Sequence, residues 1–238
     1  MLCAARLWLD PDGTDERGTR TMTEAEPFAP LSELERDAIA ELANVAMGRA
    51  ATSLRQMVES EIMLSVPKVE ILDVQAAAES LAKPRGAHFV AVRQDFSGAI
   101  SGRALLIFPE TSSLELVREV LGRQMPAQYI IDMEEDALAE TGNIIINSWV
   151  GTIANLLGQN LHVSLPVVVR RERPHVFESA SPSEAMVLFL HIKFEISMRD
   201  VHGYIAVVMD VPSVNTLRML VDKYVNQHIG KIAPSGRS

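Results

Sequence analysis

The stretch DAIAELANVAMGRA (37–50) returns 99 residues later as DALAETGNIIINSW (136–149), and the pair decides how the chain is read. Both copies share Asp-x3-Glu-x2-Asn: Asp37, Glu41 and Asn44 in the first, Asp136, Glu140 and Asn143 in the second. After twenty-two intervening residues each asparagine is followed by a proline, Pro67 in IMLSVPKVE (62–70) and Pro166 in LHVSLPVVV (161–169). A period this long is no solenoid, and it marks one duplicated half-domain. Two copies that keep a carboxylate, an amide and a proline at identical spacing suggest that those positions do one job twice.

Working outward, each motif lies on an amphipathic helix. Between Leu31 and Met47, apolar residues at Leu34, Ala38, Leu42 and Val45, widened by Ile39 and Ala46, have three-to-four spacing. Ser32 with Glu35 forms a capping box at the start. Gly48 predicts a break before a second short helix over 49–59. The stretch 61–74 reads as a strand that Pro67 confines to an edge or a bulge. Residues 86–98 and 101–109 read as a hairpin, and 110–123 as a closing helix. The second half repeats this order: helix 132–150 continued to 157, strand 160–171, strands 185–198 and 204–211, helix 214–228. Consecutive strands with short connections favour antiparallel pairing, so the class is α+β, with helices packed on antiparallel strands. The expected organisation is one domain over 31–230, made of repeats at about 31–125 and 130–230.

The flanks are expected to be tails. Residues 1–30 lack periodicity and read as disordered, with Met22 an alternative start to Met1; residues 231–238 form a short C-terminal tail. Among the 238 residues 47% are apolar and 22% charged, an ordinary globular composition. The net charge of −9 argues against a nucleic-acid partner. No apolar run is long enough to span a bilayer. Cys3 is the single cysteine, so no internal disulfide forms, which fits a reducing, cytoplasmic setting. The six histidines lack paired ligand spacing, and no metal or cofactor of the chain's own is expected. His191 reads as a strand residue, and Trp149 as core.

On a helix, Asp37, Glu41 and Asn44 fall at i, i+4 and i+7 and share one face, as do Asp136, Glu140 and Asn143. Singly, an acid and an amide on a solvated face are commonplace; repeated at identical spacing, they are not. With the trailing proline, the pattern resembles the signature of the CheC, CheX and FliY phosphatases of chemotaxis, and ELANVAMGRAATSL and ETGNIIINSWVGTIANLLG look like the two helical segments of CheC. The resemblance covers roughly Leu31 to His228. It implies a duplicated α+β fold with pseudo-two-fold symmetry, and hydrolysis of the aspartyl phosphate of the response regulator CheY. Glu41 and Glu140 would then pair with the regulator's active-site lysine. Asn44 and Asn143 would orient the attacking water, an amide offering both donor and acceptor. Asp37 and Asp136 would support them. Mg²⁺ is expected on the regulator. The resemblance also brings in CheD, a partner of some CheC proteins.

The first copy departs from the family pattern at Ala43, where the second has Gly142, and at Arg49, a bulky cation beside the expected docking surface. The first site is therefore expected to be the weaker. The competing expectation is a non-catalytic interaction module like the middle domain of FliM. Both motifs retain Glu and Asn, and the chain ends at GKIAPSGRS without a switch-type domain, which favours catalysis. Because the duplication supplies its own symmetry, a monomer is expected.

Overall fold

The computed structural model describes residues 31–56, 62–81, 88–122, 126–172, 175–177, 185–196 and 199–228. The expected tails, 1–30 and 231–238, lie outside them. In chain order the elements are α1 (Glu33–Arg55), β1 (Ile62–Asp73), α2 (Val74–Ser80), β2 (His88–Gly98), β3 (Gly102–Pro109) and α3 (Glu110–Leu121). There follow α4 (Ala127–Leu156), β4 (Leu161–Val163), β5 (Val167–Glu172), β6 (Ala185–Ile196), β7 (Arg199–Asp210) and α5 (Val211–His228). None of the described helices is long and apolar enough to cross a membrane.

Helix α1 starts at the expected capping box. Glu35 N donates to Ser32 Oγ at 3.2 Å, and Ser32 N donates back to Glu35 Oε2 at 2.8 Å. It does not break at Gly48. Ile39, Leu42, Ala43, Ala46, Met47, Ala50 and Leu54 are buried in unbroken three-to-four spacing. Burial of that stripe outweighs the roughly 1 kcal/mol that a helical glycine costs. The stripe is also rotated from the one expected: Leu34 and Val45 are exposed, while Glu35 and Ala43 are buried. A hydropathy pattern discounts a glutamate, but this one is satisfied by a cation. Helix α4 is one continuous element and begins at Ala127, ahead of the expected Asp132. Helix α2 was not anticipated. Asp73 ends β1 and caps it, accepting from Ala76 N at 2.7 Å.

The strands form one antiparallel sheet in the order β1-β6-β7-β3-β2-β4, with β5 also pairing β2. Each half lends its first strand to the other. β1 of the first half pairs β6 of the second, whereas β4 and β5 of the second pair β2 of the first. The halves meet where β3 pairs β7. A cut between the repeats would break four pairings, β1 with β6, β2 with β4 and β5, and β3 with β7, leaving their backbone donors and acceptors unpaired.

Both prolines sit at bulges. In the first half Ser65 opposes Lys193 and Lys68 opposes His191, so Val66 and Pro67 face the single residue Ile192. In the second, Val163 opposes Phe96 and Val167 opposes Arg93, so residues 164–166 face only Gln94 and Asp95. One extra residue on the proline-bearing strand is the definition of a bulge. The second bulge divides the strand expected at 160–171 into β4 and β5.

The sheet is buried on both faces. Long helices α1 and α4 pack against each other and against one face. On the other, α2 and the turn at 175–177 cover a cluster that includes Leu81, Phe89, Leu105, Phe177, Phe189 and Tyr204.

Candidate functional site

Asp37, Glu41 and Asn44 are all exposed on α1; Asp136 and Glu140 are exposed on α4, and Asn143 is half-buried. Within each motif the three side chains share a helix face, as the spacing required. Among the described residues, none of the four carboxylates has an ion-pair partner. Asp37 and Asp136 lie one helical turn before the glutamates, and their side chains make no hydrogen bond or ion pair among the described residues.

The first motif's distant proline acquires a physical reason. The bulge at Pro67 frees the Val66 N–H from the strand ladder, and Asn44 Oδ1 accepts it at 2.9 Å. A buried or half-buried backbone donor must find a partner, and the asparagine on the neighbouring helix supplies it. Asn44 is thereby pinned to the bulge that the proline creates.

The second motif reaches the same end by other means. Asn143 Oδ1 accepts from Gln94 Nε2 at 3.1 Å and from Asn147 Nδ2 at 2.6 Å. Gln94 is only 1% exposed, and its Nε2 also donates to Ser164 O at 2.7 Å. The bulge itself is tied by Ser164 N to Asp95 O at 2.8 Å and by Asp95 N to Ser164 Oγ at 2.9 Å. Leu165, the counterpart of Val66, is 85% exposed. Ile192 faces the first bulge where Gln94 faces the second, so the polar brace exists in one half only.

One consequence is common to both halves. Each asparagine has its carbonyl oxygen engaged by the protein, while its NH₂ has no partner among the described residues. The expectation that the amide offers both a donor and an acceptor is narrowed for Asn143, whose oxygen accepts two bonds; Asn44, whose oxygen accepts one, keeps a lone pair beside its donor pair. The acceptors on the same face are the glutamates.

Two anchoring residues went unnoticed in the motif. Glu35 and Glu134 stand two positions before Asp37 and Asp136, again 99 apart, so the repeat is Glu-x-Asp-x3-Glu-x2-Asn. Both are buried, 6% and 7% exposed, and each meets an arginine. Arg218 on α5 grips Glu35 through Nε at 2.6 Å and Nη2 at 3.0 Å. Arg170 on β5 grips Glu134 through Nη2 at 2.9 Å. The hydrogen bonds from Arg218, with those from Ser32, hold the Glu35 carboxyl down at about 2 against the opposing effect of burial. These pairs clamp the first turns of the motif region to the rest of the fold. The 99-residue offset was the signal that could have found them.

The departures in the first copy take on definite meanings. A Cβ at Gly142 would lie 2.5 Å from Val92 Cβ, so α4 touches β2 too closely for any side chain there. Ala43 is fully buried without needing that concession. Arg49, expected to crowd a docking surface, reaches across to α4, where its Nη1 lies 3.4 Å from Thr152 Oγ1. Trp149 is buried, as expected for core. His191 is a strand residue of β6, its ring 5.3 Å from those of Phe189 and Tyr204. Among the described residues no three His, Cys, Asp or Glu side chains are grouped to hold a metal ion.

Comparison with known proteins places this geometry. A model described as "Chemotaxis phosphatase CheX" matches residues 90–191, and one described as "CheC-like family" matches 34–71. CheY-P phosphatase CheC of Bacillus subtilis is 28% identical over 149 residues, covering 59% of this chain and 68% of that protein. Thermotoga maritima FliY shares the fold at a TM-score of 0.67, with 20% identity over 82% of this chain and 98% of that one. The FliM middle domain of H. pylori does so at 0.53, with 11% identity over 80% and 99%. In its duplicated motif, its two matched segments and its fold, the chain is similar to the CheC/CheX/FliY family.

Proposed function

We propose that this protein hydrolyses the aspartyl phosphate of a CheY-type response regulator, using the exposed faces of α1 and α4. The observation that carries this reading is the twofold presentation of a free carboxylate beside an amide whose oxygen is held by the protein and whose NH₂ is left open. Phosphoryl transfer asks little covalent work of the protein, so positioning is its main contribution. Glu41 or Glu140 pairs with the regulator's active-site lysine and anchors the complex. Asn44 or Asn143 enters beside the phosphoryl group and donates Nδ2–H to the oxygen of the attacking water, leaving a lone pair in line with phosphorus. The water's P–O bond forms as the aspartyl P–O bond breaks. The water's proton passes to a phosphoryl oxygen, because a neutral amide is too weak a base to take it. Mg²⁺ belongs to the regulator in this scheme.

The fold is also that of FliM middle domains, and an interaction module that binds without hydrolysis is the competing reading. Exchange of both asparagines for aspartate separates the two. Asn44→Asp with Asn143→Asp keeps an oxygen to accept from Val66 N–H and Gln94, but removes both outward donors. Decay of phosphorylated CheY should then slow to the regulator's own rate while the protein stays folded. The second-copy variant alone should cost more activity than the first, since Asn143 is braced by two donors. Full hydrolysis by the double variant would end the assignment, and a wild-type protein that binds beryllofluoride-charged CheY without hydrolysing its phosphate would favour the interaction module.

A further inference from the structure

The sheet carries a second concavity on the face turned away from the motif helices. Along β2 successive side chains alternate between faces. Val92 and Gln94 meet Gly142 and Asn143 on α4. Arg93 and Asp95 therefore point to the opposite side, where they line a cleft of about 570 Å³. That volume lies within the usual range of small-molecule sites, roughly 300–1,000 Å³.

The cleft has an apolar floor and a basic wall. Leu105, Val169, Val176 and Val208 supply the floor. Arg93, Arg103 and Arg171 supply the cations. Arg103 is spoken for, its Nε lying 2.6 Å from Asp95 Oδ1. Asp210, the other lining carboxylate, accepts from Ser213 N at 2.8 Å at the start of α5. Arg93 has no partner among the described residues, and Arg171 only a backbone one, the Arg170 carbonyl at 2.9 Å. In a chain of net charge −9, two guanidinium groups facing an apolar-floored cleft without carboxylate partners run against the overall charge balance. A planar guanidinium matches carboxylate and phosphate oxygens in bidentate fashion, and low-dielectric walls strengthen the attraction.

We propose that this cleft binds a small organic anion: an apolar or aromatic body, seated on Leu105 and Val208, that ends in a phosphate or carboxylate held by Arg93 and Arg171. The site is independent of the motif helices and of the activity proposed for them.

The test titrates phenyl phosphate, benzoate and phenol separately into the full chain, observing the methyl resonances of Leu105, Val169, Val176 and Val208. One or both anions should saturate a single site on these methyls, and which one does so identifies the headgroup. Phenol should not. Arg93→Gln should weaken the binding about ten- to hundredfold, the effect of losing one charge-assisted contact, and Arg93→Lys should restore part of it. Should Arg93→Gln fail to fold, Arg171→Gln and the phenol comparison on the native chain decide. Equal binding of phenol, shifts confined to α1 and α4, undiminished affinity in folded Arg93→Gln, or no saturation by either anion near ~10 mM would each overturn the proposal.

Discussion

Gly142→Ala should destabilise this protein, although the same change at two other helical glycines should stabilise it. At Gly142 the new methyl would meet Val92 Cβ, Cγ1 and Cγ2 at 2.5, 2.5 and 2.6 Å. Ordinary carbon contacts lie near 3.5–4.0 Å, so α4 must lift by about 1 Å. Val92 cannot yield: it is β-branched, and β2 is held on both sides by β3 and β5. Overpacking of this kind costs about 1–3 kcal/mol, from which the better helix propensity of alanine returns at most ~1. The net loss is up to about 2 kcal/mol, or a fall in Tm of up to roughly 8 °C for a domain near 200 residues. At Gly48 and Gly151 a Cβ meets nothing within 4 Å, so alanine there should gain up to ~1 kcal/mol. Urea unfolding of the three variants reads the signs directly. Val92→Ala should rescue Gly142→Ala through a favourable coupling of at least ~1 kcal/mol in a double-mutant cycle. If Gly142→Ala proved as stable as Gly151→Ala, the close approach of α4 to β2 would be wrong.

Two further outcomes follow from the supports of the motif. Asn44→Ala leaves the Val66 N–H without its acceptor and should cost about 1–3 kcal/mol, whereas Asn143→Ala leaves Gln94 still bonded to Ser164 O and should cost less; equal losses in chemical denaturation would refute the brace assignments. Glu35→Gln should cost about 2 kcal/mol at pH 7, the partly exposed Arg218 discounting the ~3 kcal/mol that a fall from 4.5 to about 2 would carry unscreened. Because the folded carboxyl is depressed, its contribution is complete above pH 4.5 and disappears as pH falls towards 2, so the gap between native and variant stability should close across that window. A gap unchanged down to pH 2 would mean that the pair is not what holds Glu35.

Much of the fold was legible because its signals are periodic and local. The hairpin over 88–109, the closing helices and the capping box at Ser32 all follow from alternation, three-to-four spacing and end chemistry. The misreadings have a common cause in tertiary contact. Gly48 ends a helix only when nothing packs along it, and here the stripe through Met47, Ala50 and Leu54 continues past it. Leu34 and Val45 look apolar enough for the core, yet the buried face is set by what α4 and β1 present to α1. The exchange of first strands between halves was beyond local reading altogether. Repeats in sequence say that two units are alike, not that each completes the other's sheet.

The site divides along the same line. The outward residues, Glu41 and Asn44 with Glu140 and Asn143, are visible in the sequence because both copies keep the same side chains at the same spacing. What steadies the asparagines is hidden because the two halves solve it differently. Asn44 is held by a backbone N–H that a proline bulge sets free, a device with a sequence trace in the x22-Pro spacing. Asn143 keeps the trailing proline but takes its support from Gln94, a residue 49 positions earlier on another element, whose counterpart opposite the first bulge is Ile192. A buried glutamine is a costly choice where isoleucine would pack, and Gln94 Oε1 has no partner among the described residues. That cost is borne at the one position where its amide can engage Asn143 Oδ1. Two unrelated braces therefore converge on one outcome, a carbonyl oxygen held by the protein and an NH₂ without a partner among the described residues, which argues that the donor, rather than the fold around it, is what the duplication has preserved.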